Sequence, residues 1–130
     1  MTGTPNYASA LNVDSGIAPA TLDISLTAPS NTTTVFTAGA SGSRVEEITV
    51  QGLGTTVAGV LNLFLVRSAS YKLIDQFLIT AVTSSATAIA FRTSRQYANL
   101  LLESGDTLAI ATTVAANQSM TQTTVWGEDF

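Results

Sequence analysis

In a chain with no histidine and no cysteine, Ser70 and Lys72 are the one nearby pairing that could activate a nucleophile. Side chains two apart on a strand point the same way, but no preorganised oxyanion site accompanies them, so the pair reads as ordinary strand surface. Paired carboxylates are the other catalytic material. Glu46 and Glu47 are adjacent, which on a regular strand sends them to opposite faces, and a β-bulge explains their context more simply than a glycosidase pair. Glu103, Asp106, Glu128 and Asp129 are hard oxygen donors of the kind calcium takes, yet their spacing matches no calcium loop and they read as solvated carboxylates. Gly39, Gly42, Gly52, Gly54 and Gly59 never form a phosphate loop with a following Lys. No enzymatic activity, metal or cofactor is expected from this set.

Aromatic residues are the remaining candidates, because Trp and Tyr serve both protein interfaces and sugar platforms. Trp126, the sole tryptophan, stands beside Gly127-Glu128-Asp129-Phe130 at the C-terminus. Core or subunit packing is the preferred role for it, with sugar stacking as the alternative.

These residues belong to a chain of 130, enough for one domain with a real core. Charged residues make up 11% and hydrophobic ones 45%, against about 25% charged in an ordinary domain. The net charge of −4, with Arg44, Arg67, Lys72, Arg92 and Arg95 scattered, argues against a nucleic-acid backbone as partner. The densest apolar stretch, 57–66, is broken by Gly59 and Asn62 and far short of the roughly 20 residues of a spanning helix, so no membrane partner is expected. The first twenty residues lack the basic and apolar regions of a secretory signal, and the expectation is a protein that stays in the cytoplasm where it is made.

Residues 1–20 show neither helical nor strand periodicity and are read as an extended N-terminal arm, either disordered or pinned to a neighbour by Tyr7, Leu11 and Ile17. Residues 21–130 are read as the folded domain. Period-two alternation predicts a strand through Leu22, Ile24 and Leu26, and a second β-branched run covers 33–38. In the third, Val45 is out of phase with Ile48 and Val50, so keeping all three inward requires an extra residue at Glu46-Glu47. Residues 57–66 are apolar on both faces, Leu61, Leu63 and Leu65 on one and Val60, Phe64 and Val66 on the other. Such a strand is central in a sandwich or covered by a partner. Residues 71–82 behave similarly and, being long for one strand, predict a bend or bulge near Asp75-Gln76. Further strands are expected at 86–92, 100–102, 107–113 and 120–126, with a helical turn possible within 94–103. Eight or so strands between turn signals indicate an all-β fold, an antiparallel β-sandwich or jelly roll.

Residues 43–130 resemble small all-β virion proteins of tailed bacteriophages, the capsid decoration or cement proteins. The resemblance is carried by Gly42-Ser43-Arg44-Val45 leading to Ile48-Thr49-Val50, and by Gly54-Thr55-Thr56-Val57-Ala58-Gly59-Val60 before the apolar run. It continues in Tyr71-Lys72-Leu73-Ile74, Leu102-Glu103-Ser104-Gly105-Asp106-Thr107-Leu108 and the closing Trp126-Gly127-Glu128-Asp129-Phe130. It implies a structural protein on a capsid surface, assembled in the host cytoplasm, with the major capsid protein or another shell protein as partner. No functional residue is distinctive enough to carry over. A shell-binding protein needs apolar area beyond its own core and commonly works as a closed homo-oligomer, a trimer being favoured here. The interface candidates are Tyr7, Leu11, Ile17, Val60, Phe64, Val66 and Trp126. The alternative is a carbohydrate-binding or host-adhesion module of a phage tail or fibre.

Overall fold

The structure, a computed structural model, describes residues 10–130. Its strands are β1 (Ala10–Ile17), β2 (Thr33–Thr37), β3 (Ser43–Gly52), β4 (Gly59–Arg67), β5 (Ser70–Ile79), β6 (Arg92–Leu102), β7 (Thr107–Thr112) and β8 (Thr121–Asp129). They form two four-stranded sheets, ordered β1-β8-β3-β6 and β2-β7-β4-β5, and every pairing is antiparallel. The first strand pairs with the eighth, the second with the seventh, the third with the sixth and the fourth with the fifth. That nesting is a long antiparallel hairpin rolled onto itself, which is the jelly roll.

The core lies between the sheets, where Val45, Ile48, Val50, Leu61, Leu63, Phe77, Ile79, Leu108, Ile110 and Val125 are all buried. The broken phase in β3 is a bulge as expected: Glu46 is the extra residue opposite the step from Gly127 to Trp126, and Val45, Ile48 and Val50 all reach the core. A second bulge in β5 falls at Ile74, where Leu73 faces Phe64 and Asp75 faces Leu63. It turns Asp75 inward between the edge strands β5 and β6, where the Tyr97 hydroxyl donates to it at 2.5 Å and the Arg95 guanidinium also binds it. Burial pushes the Asp75 carboxyl up, but the bonds from Tyr97 and Arg95 outweigh it and hold the group below its usual range. Burial, and then the Asp75 carboxylate, push the Tyr97 phenol well above its ordinary value. On the opposite side of the sandwich, β1 closes onto β2. Asn12 Nδ2 donates to the Thr37 carbonyl at 3.0 Å, and Gly16 lies so close that an added Cβ would stand 2.9 Å from Val35 Cγ1. Only glycine permits that approach.

Several sequence expectations change. Of the segment read as an arm, residues 10–17 are an edge strand of the first sheet, paired along their whole length with β8, while Tyr7 lies outside the described residues. The strand expected through Leu22, Ile24 and Leu26 is absent, and residues 18–32 form an irregular loop. Asp23 is the physical reason, because its carboxylate accepts the backbone N–H groups of Ser25, Ser30 and Asn31 at 3.0, 2.7 and 3.0 Å and folds the loop around itself. Residues 86–91 contribute only an isolated bridge between Ser85 and Ala88, and 94–103 belong to strand β6 rather than to a helical turn. The helical spacing of Tyr97, Leu100 and Leu101 reflects a ladder irregularity, since β6 passes from Gln96 to Leu100 while β3 passes from Glu47 to Val45. A 3₁₀ turn at Ala115–Asn117 had no sequence signal. Asn117 anchors it by bonding both the N–H and the carbonyl of Val57, at 3.0 and 2.8 Å.

Candidate functional site

The outer face of the first sheet is where exposed apolar and unengaged polar side chains come together. Along β8, Gln122, Thr124, Trp126 and Glu128 alternate outward while Thr121, Thr123 and Val125 are buried. The register then builds rows across the sheet. One row runs Leu11, Glu128, Arg44, Leu101; the next runs Val13, Trp126, Glu47, Gln96; two more run Ser15, Thr124, Thr49, Ser94 and Ile17, Gln122, Gln51, Arg92. Leu11 is 84% exposed, Val13 and Ile17 about half exposed, and Trp126 45%.

The face therefore has two halves. Its β1 side carries the apolar Leu11, Val13 and Ile17, with Ser15 between the last two, and its β3–β6 side is polar apart from the exposed Leu101, with Trp126 on the border between them. The Trp126 indole N–H donates to Thr49 Oγ1 at 3.2 Å, which fixes the plane of the ring. Beyond it a cleft of about 450 Å³ opens at the β3 bulge, lined by Glu46, Glu47, Gln96, Tyr97 and Trp126. Arg44 bonds the cleft residue Glu46 at 3.1 Å and, from Nε, Glu128 at 3.0 Å. The hydrogen bond from Arg44 holds the Glu128 carboxyl below its usual range, and the Arg44 guanidinium is raised in turn.

Hydrogen bonds also tie β1 to the rest of the face. Asp129 Oδ1 accepts from Ser43 Oγ at 2.5 Å and from Asn12 Nδ2 at 2.9 Å, and the Ser43 bond is the leading cause of its lowered carboxyl pKa. The apolar strip is thus presented on a strand anchored by a full ladder and by this side-chain bridge.

Three sequence candidates, Leu11, Ile17 and Trp126, share this one face. Val60, Phe64 and Val66 lie on the outer face of the second sheet. There Val60 and Val66 are half-buried, and Phe64 is fully buried with its ring edge-on to Tyr71 at 6.0 Å between centroids. Phe64 is therefore packed within the subunit and does not offer a free contact surface. Sequence reasoning missed Val13, although Leu11, Val13 and Ile17 do share an alternating phase, and it missed Gln96 and the placing of Glu47 beside Trp126. Only the register of β6 and β8 against β3 brings these last three together.

The residues considered for catalysis are dispersed. Ser70 and Lys72 sit exposed at the start of β5. Asp106 is bound by Arg67 at 2.9 and 2.6 Å and accepts the Glu103 N–H at 2.8 Å, an arrangement that closes the β6–β7 turn. Among the described residues no group of three or more acidic side chains could hold a metal ion. No protein-family model, curated protein or solved structure matches this chain.

Proposed function

We propose that the chain is a non-enzymatic structural protein of a bacteriophage virion, which decorates a capsid and attaches to a shell protein through the β1 side of the first sheet's outer face. The observation that carries this reading is the strip of Leu11, Val13 and Ile17 on an edge strand, open to solvent and bordered by Trp126. Taking a fully exposed side chain of this kind out of water contributes about 1.5–3 kcal/mol, most of which applies to Leu11 and about half to the half-exposed Val13 and Ile17, so the three together give a contact surface with real driving force. The resemblance of residues 43–130 to decoration proteins supplies the kind of partner. A closed homo-oligomer, with a trimer favoured, would set several strips against the shell at once and raise the avidity.

Shells assembled without this chain, mixed with the purified protein and sedimented, test the reading. The double variant Leu11→Ser/Ile17→Ser should attach at least about tenfold more weakly, which corresponds to roughly 1.4 kcal/mol. Unchanged occupancy would sink it. Light scattering on the eluted protein measures the oligomeric state, and a monomer at all concentrations would remove the trimer.

A second reading, a carbohydrate-binding or host-adhesion module of a tail or fibre, is favoured by one observation. The polar groups that a sugar site requires stand beside Trp126 in the bulge cleft.

A further inference from the structure

The cleft on the β3–β6 side has a construction that the apolar strip lacks. Glu46 is inserted in β3, and β6 bows out over Tyr97, Ala98 and Asn99 opposite it, so the two strands part and leave a depression on an otherwise regular face. One wall is the Trp126 ring, held in place through Thr49 and half open to solvent. Directly across the ladder stands Glu47, and across the next ladder Gln96, each about 4.8 Å further from the ring. Glu47 is half-buried, yet among the described residues neither its carboxylate nor the Gln96 amide makes a hydrogen bond or ion pair.

We propose that this cleft binds an uncharged pyranose, with the sugar's C–H face on the Trp126 indole and its hydroxyls on Glu47 and Gln96. A flat aromatic ring matches the apolar face of a sugar ring, and planar carboxylate and amide groups at its edge accept from and donate to neighbouring hydroxyls. The volume of about 450 Å³ lies in the range of small-molecule sites. Charge narrows the class further. The lining carries two carboxylates and no basic side chain, and the nearby Arg44 is already bound by Glu46 and Glu128. Sialic acids, uronic acids and sulfated sugars would meet repulsion. The inference rests on the second reading for its ligand and is independent of shell attachment, which uses the β1 strip.

The test is a titration of the folded chain followed by NMR, reading the Trp126 indole N–H and the Gln96 side-chain amide. Separate arms use the methyl glycosides of glucose, galactose and mannose, N-acetylglucosamine, N-acetylneuraminic acid, and Nα-acetyl-lysine methylamide. At least one uncharged sugar should give saturable shifts at both probes with a dissociation constant on the order of millimolar, as befits a shallow site and a small ligand. Trp126→Ala should weaken it at least tenfold. Glu47→Ala, on a strand whose core residues it leaves untouched, should do the same with the Trp126 probe retained. No response to any uncharged sugar overturns the proposal, as does saturation by N-acetylneuraminic acid. A response to the lysine derivative alone also overturns it and assigns the cleft to a basic side chain. None of these outcomes bears on the sedimentation of the Leu11→Ser/Ile17→Ser protein, so the two readings fail separately.

Discussion

On the outer face of the second sheet Phe64 lies at zero exposure between Ala109 and Leu73, whereas on the outer face of the first sheet Trp126 stands at 45% between Val13 and Glu47. Both strands are central in their sheets, and both carry a large aromatic residue facing away from the core. What differs is the surroundings. Around Phe64 the neighbours are the buried Ala109, Ala111 and Asn62 and the ring of Tyr71. Around Trp126 they are the exposed strip of β1 and the unengaged groups of Glu47 and Gln96. An apolar pattern on both faces of a strand therefore records burial without telling whether the subunit or a partner provides it. In this molecule Phe64 on the doubly apolar β4 is buried within the subunit, while exposed apolar side chains stand on β1 and β8 of the first sheet and at Ile74 and Leu78 of β5.

The largest expected effect that sharpens this contrast is at Phe64. Phe64→Ala should cost about 3–5 kcal/mol of unfolding free energy in urea titration, the usual loss for a fully buried aromatic residue. A loss under about 1 kcal/mol would mean that the second sheet's outer face is not packed, and the comparison would collapse.

Next is the anchor at the end of the second sheet. Asp106→Ala removes a buried carboxylate with three bonds and should cost about 1.5–3 kcal/mol in the same titration. Its carboxyl is held below the usual range first by the Arg67 hydrogen bond, and that of Asp129, on the first sheet, first by Ser43. Folded-state values depressed in this way contribute stability that is fully present above the unfolded-state pKa and is lost as pH falls through the folded one. The urea midpoint should accordingly hold steady near neutrality and decline below about pH 4. Asp106→Ala should flatten part of that decline. A midpoint independent of pH down to pH 3 would remove both anchors from the account.

Smaller effects on stability are expected at the open face. Trp126→Ala should cost about 1 kcal/mol or less, since the ring is half exposed and loses one hydrogen bond to Thr49. Leu11→Ser/Ile17→Ser should stay within about 0.5 kcal/mol of the parent in thermal unfolding. A large destabilisation by the double variant would show that the strip belongs to the core economy of the subunit.

Much of the architecture is legible in the sequence. The all-β class, a sandwich or jelly roll, follows from the count of short runs and turns, with the strand order deciding for the jelly roll, and the β3 bulge follows from the phase of Val45 against Ile48 and Val50, because a buried face enforces strict alternation. Where alternation was interrupted by local chemistry the reading failed. Leu22, Ile24 and Leu26 alternate well, but Asp23 between them captures three backbone N–H groups and makes a loop. Leu11 and Ile17 stand out as apolar contact candidates, but the strand that carries them together with Val13 does not, because Asp14, Ser15 and Gly16 dilute the alternation, and it is the approach of Gly16 to Val35 that explains the glycine. For the candidate site, Trp126 was visible as a residue type, while its partners were not. Glu47 and Gln96 reach it through register, which periodicity does not encode.

Hydrogen exchange on the wild-type protein, free and bound to shells, tests most directly whether the first sheet's outer face is the one that meets a partner. Binding should slow exchange along β1 and its partner β8 and leave β5, the edge of the second sheet, as it is in the free protein. New protection on β5 with β1 unchanged would contradict the account.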